Sequence, residues 1–395
     1  MVKNSGLGII FFLFLFIATG VKAQVGGPGN PATDGRQGAS IINTAVPFLL
    51  ISPDAKAASM GDVGAATSPD ANSIHWNPAK AAFLDNTKSV ALSYTPWLQK
   101  LVPDINLAYL SGFYRLDDRN VIGGSLRYFS LGDIEFRQDI NDAPLMVSPG
   151  EFALDGTFAR SFGENFSLGT ALRFVYSNLT DGQSYGGQQT KAGTALAADV
   201  SAYYKKETQL IGKDALFAAG LNISNIGNKI GYLQEGSKLF LPTNLKLGAA
   251  ATFFFDDYNE FTLTADINKL LVPTPPITEF DPNTGKAVII AGRDASDLSV
   301  ATGIFTSFSD APGGAKEEFK EISYSAGAEY LYNKQFAVRA GYFYENPDKG
   351  NRRYLTFGAG FRYNILSLDF AYLLADQQQS PLANTLRFSL ICSFK

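Results

Sequence analysis

The chain has 395 residues, a formal net charge of −4, 13% aromatic and 18% charged residues, one histidine and one cysteine. That balance excludes a nucleic-acid surface, which needs many lysine and arginine contacts to phosphate, and the lone Cys392 excludes an internal disulfide. With His75 as the one imidazole, no Gly-x-Ser-x-Gly elbow, no zinc set and no phosphate-cradling loop, neither an enzyme nor a metal or cofactor protein is expected.

Lys3 precedes an unbroken apolar run from Ile9 to Ile17, followed by Val21, Lys22 and Ala23. A positive start, a short apolar core and small residues at the cleavage positions predict a signal peptide over 1–23, with the mature chain starting at Gln24. The run is too short to span a bilayer as a helix, which takes about 20 residues. Residues 24–87 are rich in Gly, Pro, Ala, Asn and Asp and show little alternation, so this segment is not expected to be barrel wall. Within it, Asp54 opens a short helix running to Met60, and Asn77 followed by Pro78 reads as a helix cap with proline at the first position, starting a second short helix to Leu84. Gly61 and Gly64 are read as points of close backbone packing rather than as a phosphate loop.

From residue 88 to 395 the apolar period becomes two, the signature of strands with one oily face. In the last of them Leu386, Phe388, Leu390, Cys392 and Phe394 oppose Arg387, Ser389, Ile391 and Ser393. The pattern predicts about fourteen strands, near 88–95, 104–115, 119–129, 151–162, 166–177, 193–205, 214–224, 243–255, 259–269, 320–332, 335–345, 353–363, 366–374 and 384–394. Short joints at 117–118, 163–164, 206–213, 256–258, 333–334 and 364–365 alternate with long ones, including an extracellular loop around 270–319. A soluble β-sandwich would share the alternation of side chains but has no cause for this parity of joints. The fold class expected is therefore all-β, a transmembrane outer-membrane β-barrel in contact with the lipid bilayer. Closure follows from the need to pair every backbone group in hydrocarbon.

Arg173, Asp199, Lys246, Asp266, Glu329, Arg339, Arg362, Asp369 and Arg387 fall on the inward face. Their mixed signs suit internal ion pairs better than a selective pore. The acidic pairs Asp117-Asp118, Asp256-Asp257 and Glu317-Glu318 are read as solvated turn and loop residues rather than as catalytic carboxylates.

Three stretches carry a resemblance. Ala57 to Ala65, with Ile74-His75-Trp76-Asn77-Pro78-Ala79, then Tyr94 to Leu98 with Asp104 to Leu110, and finally Gly303 to Phe305 with Ser307 to Gly314, together resemble the PorV/PorQ family of outer-membrane proteins, which is related to FadL-like barrels. The resemblance implies a fourteen-strand barrel whose segment 24–87 folds back as a plug or hatch, with Asn77, Pro78 and Ala79 as its motif. It also implies a shuttle of the type IX secretion system. Such a protein docks on a giant outer-membrane translocon barrel, receives secreted cargo proteins through their C-terminal signal domains, and delivers them to a surface attachment complex containing a signal-cleaving protease. Apolar residues in loops, namely Trp97, Leu98 and Leu101 and the pair Phe305 and Phe308, are the expected partner and cargo contacts. Trp97 has a second reading, as part of the aromatic girdle at the membrane interface. Ser299 to Phe308 reads as a possible short helix over the barrel mouth. The alternative function is a FadL-like transporter of small hydrophobic molecules, which would need a continuous apolar path.

Overall fold

The computed structural model describes residues 41–97, 104–137, 145–179, 184–185, 188–233, 236–281, 286–375 and 385–394. The expected signal peptide lies outside them. Fourteen strands close into one antiparallel ring in sequence order. They are β1 Lys88–Pro96, β2 Asn106–Arg115, β3 Asn120–Ser130, β4 Gly150–Ser161, β5 Phe166–Asn178, β6 Gly193–Leu210 and β7 Lys213–Gly227, continuing with β8 Asn244–Phe254, β9 Asn259–Leu270, β10 Ile322–Tyr332, β11 Phe336–Tyr344, β12 Arg353–Tyr363, β13 Leu366–Ala375 and β14 Thr385–Phe394. The seam pairs Lys88 with Phe394 and runs to Tyr94 opposite Phe388, so no edge strand is left. Among the described residues no helix is long and apolar enough to cross a membrane. The strands cross it instead.

Period two governs the wall as the sequence predicts: in β1, Ser89, Ala91, Ser93 and Thr95 are buried inward while Val90, Leu92 and Tyr94 face out. The outward face is oily all round, with Leu172, Leu196 and Val338 among its most exposed side chains. One difference lies between β6 and β7. The turn expected over Lys206–Lys213 is only Ile211-Gly212, both at positive φ, and the two strands run on as a long hairpin. Beyond the bilayer both faces meet water, so charged residues on both sides of the ribbon are compatible with a strand there.

The described part of the N-terminal segment, residues 41–87, lies inside the ring. Its helices are α1 Ala55–Ala58, capped by Asp54 accepting from Ala57 N, and α2 Ser73–Trp76; a 3-10 turn over Pro78–Phe83 follows, started by Asn77 as expected. Hydrogen bonds tie this segment to strands all round the circle. Ser111 on β2 donates to Asn72, Arg127 on β3 to the Leu49 carbonyl, and Ser167 on β5 to the Ala79 carbonyl. Gly61 N donates to Thr356 on β12 and Ala55 N to Ser389 on β14. A segment of this length reaches all these strands only from within.

Two of its glycines are required. A Cβ on Gly61, which sits at φ +74°, would stand 2.6 Å from the Tyr342 carbonyl oxygen, and one on Gly64 would collide with the Trp76 ring. Apolar contact completes the fit: Val46, Phe48 and Leu49 pack against Leu107, Phe129, Val175 and Leu241 near the long-loop end. At the opposite end Ile74, Ala81 and Leu84 meet Phe113, Val121 and Ile391.

Candidate functional site

The excursion between β9 and β10 is the largest external structure. It begins with buried Leu271, Val272 and Thr274, forms a ribbon of Ile277–Asp281 paired with Lys286–Ala291, and then two short helices. The first, α3 Val300–Thr306, is capped by Ser299 accepting from Thr302 N, which matches the helix expected over Ser299–Phe308. The second is α4 Ala315–Lys320. A Cβ on Gly303 would lie 2.8 Å from the Phe240 ring, so glycine lets α3 press directly on the neighbouring loop. Lys229 reinforces that contact, stacking 4.1 Å above Phe240 and donating to the Ser296 carbonyl at 2.8 Å.

The base of the excursion is an ionic knot. Lys269 Nζ lies 3.0 Å from Glu318 and 2.6 Å from Glu321, while Lys349 reaches Glu317 at 2.5 Å and Glu321 at 3.0 Å. Glu318 also accepts from Ala311 N, and Glu321 accepts from the Thr274 hydroxyl. Burial pushes the Glu321 carboxyl up, but the hydrogen bonds from Lys269 and Thr274 and the charges of Lys269 and Lys349 outweigh it and hold the group below the ordinary range. Asp310 moves the other way, raised by burial and by the charges of Glu318 and Glu321 against the hydrogen bonds of Thr274. Glu317 and Glu318 are thus structural ion-pair partners, which corrects their reading as solvated loop residues. Asp117 and Asp256 do behave as expected, each accepting backbone N–H groups within its own turn.

With the base fixed, α3 and α4 hold aromatic rings in water. Phe305 is 78% exposed and Phe308 51%, as their loop position predicts, and Phe319 joins them at 70%. Phe319 was not picked out from sequence; its signal was an apolar residue directly after a Glu-Glu pair in a long loop.

Trp97 behaves differently from either expectation. It continues the inward face of β1, its N–H donating to the Ile105 carbonyl at 2.9 Å, and its ring is half-buried against the Val46–Phe48 cluster with Arg387 5.8 Å from its centroid. It is neither an exposed loop anchor nor part of an outward girdle, because the parity of β1 carries past Pro96. Leu98 and Leu101 lie outside the described residues.

Asn77, Pro78 and Ala79 form a clamp. The Asn77 amide donates to the carbonyls of Ala65, at 2.8 Å, and Ala202, at 3.0 Å, while Ala79 N donates to the Ser201 hydroxyl at 3.0 Å. His75 is paired with Arg127, whose guanidinium donates to Nδ1 at 2.6 Å; that nitrogen is therefore unprotonated and engaged. Eight of the nine inward charges pair as anticipated, Arg362 being the exception among the described residues. Arg173 bridges Asp155 and Asp199, Arg339 bridges Glu329 and Asp369, Lys246 meets Asp266, and Arg387 meets Asp62. Asp155 and Asp62 are partners the sequence did not reveal. At the mouth a cavity of about 330 Å³ between Ile51, Trp97, Leu373 and Arg387 ends on Asp62, which accepts from the Tyr354 hydroxyl at 2.5 Å.

A closed ring of fourteen antiparallel strands, oily outside and charge-paired inside, with short turns at one end and long loops at the other, is an outer-membrane β-barrel. Within that class, the model of the type IX secretion system protein PorV family matches residues 34–277, and the chain belongs to that family. It is thereby an outer-membrane component of type IX secretion. Among solved structures it is similar to the Pseudomonas putida toluene transporter TodX, at 13% identity and a TM-score of 0.50 over 89% of this chain and 98% of that one. The Ralstonia pickettii toluene transporter TbuX follows at 12% and 0.48, over 88% and 100%, and a Pseudomonas aeruginosa FadL homologue at 12% and 0.43, over 90% and 100%. At 13% identity the likeness to TodX speaks to the fold alone. No curated protein matches the chain.

Proposed function

We propose that this barrel is a shuttle: it receives the C-terminal signal domain of secreted proteins at the giant translocon barrel and hands them to the surface attachment complex with its signal-cleaving protease. The holding surface in this reading is the exposed aromatic face of α3 and α4, and the barrel performs no chemistry itself. The observation that carries it is the trio Phe305, Phe308 and Phe319, kept in water on a loop whose base is fixed by buried lysines. Large apolar side chains held rigidly in solvent mark partner sites, and pre-ordering lowers the entropic cost of binding.

The lumen supports the same reading. It is occupied by the N-terminal segment and crossed by the Arg173 and Arg339 ion pairs, so a folded cargo domain has no room there. The transporter alternative requires a continuous apolar path, and those charges interrupt one. The test replaces the chromosomal gene with a Phe305→Asp, Phe319→Asp variant. The barrel should reach the outer membrane in normal amount while cargo accumulates unattached and no longer co-purifies with it. Normal surface display of cargo by this variant, or by a strain lacking the gene, contradicts the proposal.

A further inference from the structure

The lipid-facing wall is not uniformly convex. Over the seam, a groove of about 660 Å³ runs across β11, β12, β13, β14 and β1. Cross-strand register explains its form. Val338, Ala359, Phe370, Phe388 and Tyr94 are successive partners along one outward row, and a second row runs beside it from Phe336 to Leu92. Large side chains thus flank Ala359, whose methyl group is the low point between Phe361 and Phe370. Aromatic pairs stiffen the rims, Phe336 with Phe361 at 5.0 Å and Phe370 with Phe388 at 5.4 Å between centroids.

The chemistry of the lining is one-sided. Of its residues with polar side chains, Asp369 and Ser389 are buried on the lumen side, Asp369 in its pair with Arg339, and Tyr94 is the one that faces outward. No charged side chain faces into the groove to address a headgroup. The rows cross β1 at Leu92 and Tyr94, four and six residues in from Lys88 at the short-turn end. On β11 the same rows start at Phe336 and Val338, at the short-turn end itself, so at about 3.3 Å per residue the groove runs from the periplasmic edge of the hydrocarbon to about its middle. The volume is that of a ligand pocket, roughly 300–1,000 Å³. The surroundings at this depth are lipid tails.

We propose that this groove is a binding site for one acyl chain of an inner-leaflet phospholipid, held stoichiometrically by the barrel rather than exchanging as bulk annular lipid. The bilayer is already the partner of this wall, and the groove is continuous with that interface. Ala359→Trp fills the low point from the lipid side without touching the lumen, and Val338→Trp narrows the same groove from its rim. Leu172→Trp, on the outward face of β5, is the control. Barrel closure of each is checked by its heat-shifted gel migration.

Wild type and variants are purified in detergent, given dipalmitoyl phosphatidylethanolamine and examined by native mass spectrometry. One retained lipid per barrel is expected for wild type and Leu172→Trp. At least tenfold less is expected for whichever groove variants close, Ala359→Trp or Val338→Trp. Absence of a retained lipid on wild type, or equal retention by the groove variants, overturns the proposal.

Discussion

Two parts of the chain leave the barrel wall, and they are secured in opposite ways. Residues 41–87, inside the ring, are held at many points, by Asn72, Ala79, Gly61 and Ala55 bonded to strands on every side. The excursion from Leu271 to Glu321 is held at its base, by Lys269 and Lys349, and against a neighbouring loop at Phe240. The first buries small side chains and pairs its charges; the second carries its largest rings into water. A part meant to stay put is tied everywhere, and a part meant to be touched is tied where the partner does not reach.

Breaking the inner anchorage should have the largest effect. Asp266 accepts from Gly64 N at 2.7 Å and Ala65 N at 3.0 Å and lies 3.6 Å from Lys246. Asp266→Ala leaves those donors and the lysine buried without it, a loss of about 3–5 kcal/mol for a broken buried pair. In planar bilayers the variant should show channel openings that the wild type lacks. An equally silent barrel would mean that Asp266 does not hold the segment.

The outer anchorage comes next. Lys269→Ala strands Glu318 and Glu321 at the loop base, and the excursion should become sensitive to limited proteolysis while the barrel keeps its heat-shifted migration. Cargo display should fall at least tenfold. Unchanged cleavage would show that Lys349 alone suffices.

Removing a ring rather than its support should separate binding from stability. Phe305→Ala should cost about 1–2 kcal/mol of cargo affinity, roughly 5- to 30-fold in Kd by titration. Barrel melting should move by no more than about 0.5 kcal/mol, as for an exposed site.

Acid probes the same base more gently. Glu321 is held below its ordinary pKa, so its contribution is complete above the unfolded-state value and fades as pH falls through the glutamate range and beyond it. Asp310, raised by burial, has the opposite sign and favours the folded loop on the acid side. Loop protection measured by hydrogen exchange should therefore decline on acidification less steeply in wild type than in Asp310→Asn. The smallest effect belongs to the periplasmic hairpin, where Ile211 is held at φ +52°. Ile211→Asn should stabilise it by about 1 kcal/mol, read as slower local exchange.

The wall was legible in sequence because hydrocarbon on one side and a packed lumen on the other force strict alternation. All fourteen strands follow from it. Legibility ended where that asymmetry ends: the ribbon around Lys206 has water on both faces, and its charges read as a turn. Trp97 was misplaced because inward parity continues past Pro96 into what reads as loop. Glu318 and Glu321 gave no sign of their role, since their partners Lys269 and Lys349 are remote in sequence and meet them only when the ring closes. Asn77-Pro78-Ala79 was readable as a cap, but not as the clamp that Ala202 and Ser201 make of it.

The most direct measurement places a photoreactive residue at Phe305, Phe319 or the lumenal Tyr354 in cells exporting cargo. Crosslinks to the cargo's C-terminal signal domain should form from Phe305 and Phe319 and not from Tyr354. Strong crosslinks from Tyr354 with none from the two outer positions would mean that cargo enters the barrel, against the account given for this fold.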